Sequence, residues 1–305
     1  DGIRDTELWL EFRRVLFRSD TTLFLGIEGQ KRGYKIYYFE PENLSFLNGL
    51  VSAKGSFITF FENKENFYKI NKNTTLNLSK VKIILIRNEP PFNQQYINTT
   101  FFLEHISNKV KIINHPKAIR EVPEKLFSIR LHKYMPPTLI SENINEIKLF
   151  FKKYKKVILK PINGYSGNEV VLLKKYNNRV INRYLKKYNH IIFQKFLPRV
   201  SSGDRRVFII NGKIKGSISR VPKKGSILSN MSKGAVAKID QLTNRELKIS
   251  RVVANILSKN NIYFAGIDFV YGKLIGDINV TSPTGLATYY ELTKINLAKY
   301  FWDNL

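Results

Sequence analysis

The sequence contains no cysteine. Disulfide bonds, thiolate nucleophiles and zinc sites with cysteine ligands are therefore excluded. Histidine is also scarce, and the spacing of the four histidines does not match a paired metal site. We interpret all four as structural residues: His105, His115, His132 and His190.

Long apolar runs are absent as well, since none approaches the roughly 18 residues that a membrane helix requires. The most apolar stretch near the N-terminus, LWLEFRRVLF, is interrupted by Glu11, Arg13 and Arg14. It therefore predicts neither a membrane span nor a signal peptide. We expect a cytoplasmic protein with no membrane partner.

Acidic residues are few: 24 stand against 51 lysines and arginines, which gives a formal net charge of +27. Such an excess is typical of proteins that bind polyanions. Here the excess is mostly lysine, is spread along the chain and accompanies abundant Asn and Ile, so the coding bias of an AT-rich genome also explains it. No nucleic-acid-binding module is recognisable, and we expect no nucleic-acid partner. The charge remains compatible with anionic small substrates such as ATP.

The composition and length predict a folded protein of two or three subdomains. The chain has 305 residues, of which 43% are hydrophobic and 13% aromatic. In residues 20–121 a helical pattern in TLFLGIEGQKRGY, ended by Gly33, alternates with the strand patterns KIYYFE, VKIILIR and VKIINHP, which indicates an α/β domain. Residues 122–305 begin with a predicted helix, PEKLFSIRLHKY, and continue mostly as sheet.

Residues 1–19 differ in composition from the rest of the chain. Their basic residues are all arginine, and the Asn-Lys-Ile texture is missing. The stretch VLFRS is what the end of a common sequencing adapter would encode in one reading frame. We therefore predict a foreign segment that has replaced the natural start, with an ordinary amphipathic N-terminal helix as the alternative.

An acidic hairpin is predicted near the C-terminus, in GIDFVYGKLIGDINV. Side chains two residues apart on a strand project from the same face, so Asp277 and Asn279 would lie side by side, with Asp268 across the hairpin. Such a cluster of oxygen ligands suits Mg²⁺. A solvated hairpin edge is the alternative.

Basic side chains accompany other strand patterns. Lys160 ends the apolar strand of VILKPINGYSG just before a glycine-containing turn, which suits phosphate binding but also fits an ordinary hairpin. Lys125 stands at a predicted helix start, where the helix dipole disfavours a cation, which makes it a candidate functional residue. A plain surface lysine is the alternative. Arg206 and Arg220 are predicted on adjacent strands, where guanidinium groups suit carboxylates and phosphates or form a solvated edge.

Taken in order, these features resemble the ATP-grasp superfamily and, within it, the bacterial glutathione synthetases. The resemblance runs from about Asp20 to Leu305. It rests on the segments QKRGYKIYYFEPENL, RNEPPFNQQYI, NHPKAIREVPEKLF, ILKPINGYSG, QKFLP, GDRRVFIINGK, RVPKKGSILSN, GIDFVYGKL and INVTSPTG. It implies a mixed α/β fold: a Rossmann-like pre-ATP-grasp domain at 20–121 with its first strand missing, then a two-part ATP-grasp domain at 122–305 that holds the nucleotide between two sheets.

The resemblance also implies an activity. Members of the family join γ-glutamylcysteine to glycine with ATP and Mg²⁺ (or Mn²⁺), through an acyl phosphate, and release ADP and phosphate. A homo-oligomer is expected by the same resemblance. Two alternatives stay open: another ATP-grasp carboxylate–amine ligase, and a non-catalytic nucleotide-binding remnant.

Carried over residue by residue, the resemblance assigns four groups of site residues. Asp268, Asp277 and Asn279 would hold the metal ion. Arg206 and Arg220 would be catalytic and would clamp the peptide and the acyl phosphate, and Ser282 and Thr284 would bind a substrate carboxylate. The residues expected to bind the nucleotide are Lys125, Lys160, Gly164, Ser166, Gly167, Gln194, Phe196, Leu197 and Asp204.

Several positions depart from the family pattern. Asp277 stands where the family has Glu, and Leu228 stands where it has an Arg. Ala235 replaces a frequent glycine, and the phosphate loop is poorer in glycine because of Ser166 and Asn168. Loss of a cation at a site of phosphoryl transfer lowers the rate by several powers of ten, unless another cation compensates. Repositioning of Lys223, Lys224 or Lys233 could supply that cation.

Overall fold

The computed structural model describes residues 7–10, 21–61, 67–165 and 167–305, with side chains described for all of these except 7–10 and Ser232. Three sheets organise the described residues. Eight α-helices accompany them in this part of the chain: α1 Thr21–Lys31, α2 Gln94–His105, α3 Pro116–Glu121, α4 Ile144–Tyr154, α5 Asn178–Tyr188, α6 Asn244–Lys259, α7 Leu286–Thr293 and α8 Leu297–Asp303.

The first sheet has seven strands in the described residues, in the order β3-β4-β2-β1-β6-β7, with β5 paired to β4. Strands β2, β1, β6 and β7 run parallel, and β3, β4 and β5 are antiparallel. The bounds are β1 Glu7–Leu10, β2 Lys35–Tyr38, β3 Leu44–Leu47, β4 Leu50–Phe60, β5 Tyr68–Asn77, β6 Ile83–Leu85 and β7 Lys111–Ile113.

Strand β1 corrects one expectation from the sequence. Its four residues pair with β2 on one side and three of them pair with β6 on the other, so the central strand of this sheet is present rather than missing. A sheet that lacked this strand would leave the inner edges of β2 and β6 unpaired, which costs free energy for each buried backbone group. The prediction of a foreign segment otherwise falls on residues outside the described ones.

The second and third sheets are antiparallel. Four strands, in the order β10-β9-β11-β8, form the smaller one: β8 Thr138–Ser141, β9 Val157–Pro161, β10 Val171–Leu173 and β11 Ile191–Lys195. Five strands, in the order β14-β13-β12-β15-β16, form the larger one: β12 Asp204–Ile210, β13 Lys213–Val221, β14 Val236–Lys238, β15 Phe264–Val270 and β16 Lys273–Asn279.

Burial explains how these layers are assembled. Every residue of β15 is buried, as expected of an apolar strand inside a sheet that is covered on both faces. Helix α6 covers one face of this sheet and begins with a capping box between Thr243 and Glu246. On the other face, Phe208 and Ile218 share a core with α1, α8 and the first sheet. The first and third sheets are therefore joined by one continuous core.

The segment 123–134 differs from the predicted α-helix. It forms turns followed by a 3₁₀ helix, Phe127–Tyr134, whose backbone leaves helical geometry at Leu131. The carbonyl oxygen of Glu124 accepts a hydrogen bond from the amide of Ile278 at 3.0 Å, so part of this backbone pairs with β16 instead of with its own helix. Four further 3₁₀ helices are described: Pro41–Asn43, Leu78–Lys80, Pro198–Ser202 and Met231–Lys233. No helix of the described residues combines the length and the apolar character needed to cross a membrane.

Candidate active site

A cavity of about 440 Å³ lies between the second and third sheets. Apart from Ser166, which lies outside the described residues, every site residue predicted from the sequence lines this cavity. Those lining residues are Lys125, Lys160, Gly164, Gly167, Gln194, Phe196, Leu197, Asp204, Arg206, Arg220, Asp268, Asp277, Asn279, Ser282 and Thr284. The fold thus brings together residues that are up to about 160 positions apart in the sequence.

Two arginines and two aspartates form a buried network on one wall of the cavity. Arg206 donates to both oxygens of Asp268 at 2.8 Å, and Arg220 donates to both oxygens of Asp204 at 2.7 and 2.6 Å. The Nη2 atom of Arg220 also lies 3.1 Å from Asp268. The prediction that the arginines occupy neighbouring strands is confirmed, because β12 pairs with β13. The bidentate geometry fixes both guanidinium planes.

The charges of this network perturb its carboxylates in opposite directions. Burial alone would raise the pKa of Asp268, but Arg206 and Arg220 together hold that pKa well below its usual value. Burial raises the pKa of Asp204 to about 6, and the negative charge of Asp268 acts in the same direction. Arg220 opposes this shift but does not cancel it. Asp268 is therefore an anion at any physiological pH, and Asp204 takes up a proton in mildly acidic solution.

Lys125 and Lys160 bring two ammonium groups to the cavity from different elements. The Nζ atom of Lys160 donates to the carbonyl of Ile275 at 2.7 Å and lies 3.3 Å from Oδ1 of Asp277. The Nζ atom of Lys125 donates to the carbonyl of Gly164 in the predicted phosphate loop. Burial lowers the pKa of Lys125, an effect that Asp277 opposes and Lys160 reinforces. The partners of the two ammonium groups are carbonyl oxygens and a single carboxylate. Phosphate oxygens, which carry more negative charge, are suited to replace them.

The predicted metal ligands fit a divalent cation in part. Asp277 and Asn279 share the cavity face of β16, as the two-residue strand period requires. The amide nitrogen of Asn279 donates to Gly266 at 3.2 Å, so its oxygen is the atom suited to a cation. Asp268, in contrast, already accepts three guanidinium hydrogen bonds, and a carboxylate has about four acceptor positions. No cluster of three or more His, Cys, Asp or Glu side chains suited to a metal occurs in the part of the chain that the structure describes.

Two loops meet over the cavity. Gly167, with φ +70°, packs so closely that a Cβ there would lie 2.6 Å from Oδ1 of Asn230 and 3.2 Å from Leu228. Lys233 donates to Oδ1 of Asn168 at 2.9 Å across the same junction. The two segments, 162–169 and 222–235, therefore form a common roof.

Three departures from the family pattern, at Asn168, Leu228 and Ala235, lie in this roof, whereas Asp277 lies on β16. Leu228 lines the cavity with an apolar side chain, at a position where the resemblance implies an arginine. Lys223, Lys224 and Lys233, which could replace this cation, do not line the cavity. Among the described residues, the lysines that line it are Lys125, Lys160 and Lys195. Lys233 is instead engaged with Asn168, and Lys223 packs beside Gly234.

The segment 280–286 forms the floor of the site and is anchored by the first α/β layer. The carbonyl of Val280 accepts from the side chain of Asn114 at 2.7 Å, and the carbonyl of Pro283 accepts from Arg87 at 2.9 Å. The Ser282 hydroxyl donates to the carbonyl of Asn88 at 2.7 Å. The hydroxyl of Thr21 accepts from the amides of Gly285 and Leu286, where α7 begins.

Sequence reasoning missed several residues of the cavity, of which Glu124 is the best connected. Its carboxylate accepts hydrogen bonds from the amides of Val280 and Thr281 and from the Thr281 hydroxyl. Burial raises the pKa of Glu124, and the bonds from Thr281 partly offset that shift. A single glutamate in a loop belongs to no helical or strand periodicity from which a role could be predicted. Its position directly before the predicted site residue Lys125 was the available clue. Lys195 and Glu89 also line the cavity and were not predicted.

Family models match most of the chain. The model of the prokaryotic glutathione synthetase ATP-grasp domain matches residues 124–294, and the model of the prokaryotic glutathione synthetase N-terminal domain matches residues 11–120. The glutathione synthetase of Bradyrhizobium diazoefficiens is 33% identical over 296 residues, which cover 96% of this chain and 94% of that protein. The glutathione synthetase of Buchnera aphidicola subsp. Baizongia pistaciae is 34% identical over 298 residues, covering 95% of this chain and 92% of that protein.

Solved structures with a similar fold are more distant in sequence. The crystal structure of the D-cycloserine synthetase DcsG has a TM-score of 0.67 at 13% identity and covers 97% of this chain and 99% of that one. The ATP-grasp ligase PsnB complexed with its minimal precursor has a TM-score of 0.62 at 12% identity, with 98% of each chain covered. These likenesses concern the fold alone, and they confirm the predicted mixed α/β ATP-grasp architecture.

Proposed function

The chain belongs to the prokaryotic glutathione synthetase family, and from this premise we propose that it is an ATP-dependent ligase that joins γ-glutamylcysteine to glycine. The products are glutathione, ADP and phosphate. The observation that carries the proposal is the convergence of the described predicted site residues on one cavity between two sheets. A set of this composition supplies cations for phosphates and oxygen ligands for a metal ion.

The proposed reaction proceeds in two steps. The cysteinyl carboxylate attacks the γ-phosphorus of ATP, which breaks the bond to the bridging oxygen, forms an acyl phosphate and releases ADP. The glycine amine then attacks the acyl carbon and expels phosphate, while the amine loses a proton. Phosphorylation is needed because a free carboxylate has no adequate leaving group, whereas phosphate is one.

Individual residues take roles in this scheme according to where they lie. Lys125 and Lys160 neutralise phosphate charge, and the loop 162–169 covers the phosphates. Phe196 and Leu197, with Gln194, form the wall for the adenine. Arg206 and Arg220 stabilise the carboxylate and the developing acyl phosphate from a preorganised position, because their carboxylate partners hold them before substrate arrives. Ser282 and Thr284 bind a substrate carboxylate.

Mg²⁺ or Mn²⁺ would be held by Asp277 and Asn279, with Asp268 contributing an acceptor position that its arginines leave open. When bound, such a cation neutralises charge on the phosphates during transfer. Asp277 is one methylene shorter than the family's glutamate and lies near Lys160. Because Mg²⁺ demands close octahedral geometry, either the strand would move or a water molecule would fill the remaining distance.

The test is mass-spectrometric detection of glutathione after the protein is incubated with Mg²⁺, ATP, γ-glutamylcysteine and glycine, each omitted in turn. Product that requires all four supports the proposal. ATP turnover stimulated by a different carboxylate or amine would favour another ATP-grasp ligase. Nucleotide binding without turnover would favour a non-catalytic remnant. A homo-oligomer is also part of the proposal and is tested by light scattering coupled to gel filtration.

A further inference from the structure

Glu124 makes a continuous series of contacts with the end of β16 and the residues that follow. Its carbonyl oxygen accepts from the amide of Ile278 at 3.0 Å. Its Oε1 atom accepts from the amides of Val280 and Thr281 at 3.2 and 3.3 Å and from the Thr281 hydroxyl at 2.7 Å. Four donors are therefore fixed by one residue that belongs to no regular element.

These contacts determine where the neighbouring side chains point. Ile278 stands between Asp277 and Asn279, and on a strand the flanking residues project to the face opposite that of the central one. Ile278 is buried in the core, so Asp277 and Asn279 face the cavity. Val280 is buried in the same way. Holding the backbone of residues 278, 280 and 281 therefore holds the direction of both oxygen ligands.

The residue next to Glu124 contacts a second element of the cavity wall. Lys125 donates to the carbonyl of Gly164, in the loop proposed to cover the phosphates. Residues 124 and 125 thus connect the strand with the oxygen ligands to the phosphate loop.

We infer that Glu124 is a positioning residue, which holds the end of β16 so that Asp277 and Asn279 meet a metal-bound nucleotide at the correct distance from Lys125. This role rests on the proposed function, since it acts on the ligand set of the same site. Glu124 acts through hydrogen bonds that its oxygen accepts and does not transfer protons.

Two substitutions separate this role from its alternatives. Glu124→Gln keeps a carbonyl oxygen that accepts hydrogen bonds from the same three donors of residues 280 and 281, whereas Glu124→Ala removes the acceptor. Removal of groups that orient metal ligands typically weakens metal binding by about 10- to 100-fold. We expect Glu124→Ala to weaken the binding of Mg²⁺ with ADP by about that factor, and Glu124→Gln to keep most of the affinity.

The measurement is calorimetric titration of ADP into the protein, once with Mg²⁺ and once with EDTA, so that the contribution of the metal is isolated. Glu121→Ala is the matched control, since this exposed glutamate lies three residues earlier and makes only a 3.7 Å ion pair with Lys117. The kcat and KM of glutathione formation are measured in parallel. We expect Glu124→Ala to lower kcat and to raise the Mg²⁺ requirement, and Glu121→Ala to match the unmodified protein.

Each outcome decides the inference. Wild-type affinity for Mg²⁺ and ADP in Glu124→Ala would overturn it, and so would a glutamine variant as impaired as the alanine variant, because that result would indicate a need for charge or proton transfer. If Glu124→Ala does not fold, Thr281→Val removes only the hydroxyl donor and should weaken the metal-dependent affinity by a smaller factor; an unchanged affinity would contradict positioning. A wild-type protein that forms no glutathione would refute the proposed function, while the metal-dependent binding still tests Glu124.

Discussion

Asn114 joins the two halves of the chain through four hydrogen bonds, and its replacement by alanine gives a demanding test of the structure. Its Nδ2 donates to the carbonyls of Phe264 and Val280, both at 2.7 Å. Its Oδ1 accepts from the amides of Tyr263 and Phe264 at 2.9 and 2.8 Å. The side chain is only 3% exposed, so water does not compete for these bonds in the folded protein.

The magnitude follows from those four bonds. Each contributes about 1 kcal/mol net to the free energy of unfolding, and buried groups left unpaired cost more. A water molecule that enters the space left by Asn114→Ala would restore some of the bonds. We therefore expect the free energy of unfolding to fall by about 3 kcal/mol, which lowers Tm by roughly 5 °C in a protein of this size.

The assay is urea unfolding followed by circular dichroism, with the slope against urea concentration checked for constancy. Asn71→Ala is the control, because its exposed amide makes one hydrogen bond, to the Thr59 hydroxyl at 2.8 Å. The control should change stability by less than about 0.5 kcal/mol. A fall of less than about 1 kcal/mol for Asn114→Ala would refute the reasoning, since it would mean that these bonds do not hold the two halves together.

Three further outcomes are expected at the cavity. Leu228→Arg should leave glutathione formation unchanged or raise it, and a clear loss in a steady-state assay would show that the alignment or the role of this position is wrong. Gly167→Ala should raise the KM for ATP by about tenfold or more, because its Cβ would clash with Asn230 at 2.6 Å in a backbone conformation with φ +70°; an unchanged KM would contradict the roof geometry. Because burial raises the pKa of Asp204 to about 6, activity should fall as the pH drops through 6 and this carboxylate releases Arg220; Asp204→Asn should remove that inflection. The pKa of Asp204 in the folded protein exceeds its ordinary value of 3.8, so this group makes the fold less stable as the pH rises from about 4 to 6. Unfolding caused by Asp204 therefore cannot explain a loss of activity in acid.

Local periodicity predicted much of the site. The two-residue period of β16 placed Asp277 and Asn279 on one face, and the glycine turn placed Lys160 beside the loop that we propose covers the phosphates. The partners of Arg206 could not be predicted, because Asp268 is opposite it only through the pairing of β12 with β15. The register between β15 and β16 shifts between Ile267 and Phe269. Asp268 therefore does not lie directly across a regular hairpin from Asp277 and Asn279, as the three predicted metal ligands would require.

Other parts of the fold gave weaker local signals. The long antiparallel strands β4 and β5 were not predicted, because β5 is largely exposed and polar and lacks the alternation of a half-buried strand. The helix expected at 123–134 was overridden by the pairing of Glu124 with β16. Long-range hydrogen bonds decided both the conformation of this segment and the role of Glu124, and no window of sequence contains both partners.

The anchoring of residues 280–286 by Thr21, Arg87, Asn88 and Asn114 has a consequence for biosynthesis. Each support precedes the residue that it holds by 166 to 265 positions in the sequence. A nascent chain on the ribosome therefore carries the supports long before the segment that they hold. The cavity gains its floor only after residues 280–286 have been made, so a translation product interrupted before them would lack Ser282 and Thr284 and the backbone that the supports hold.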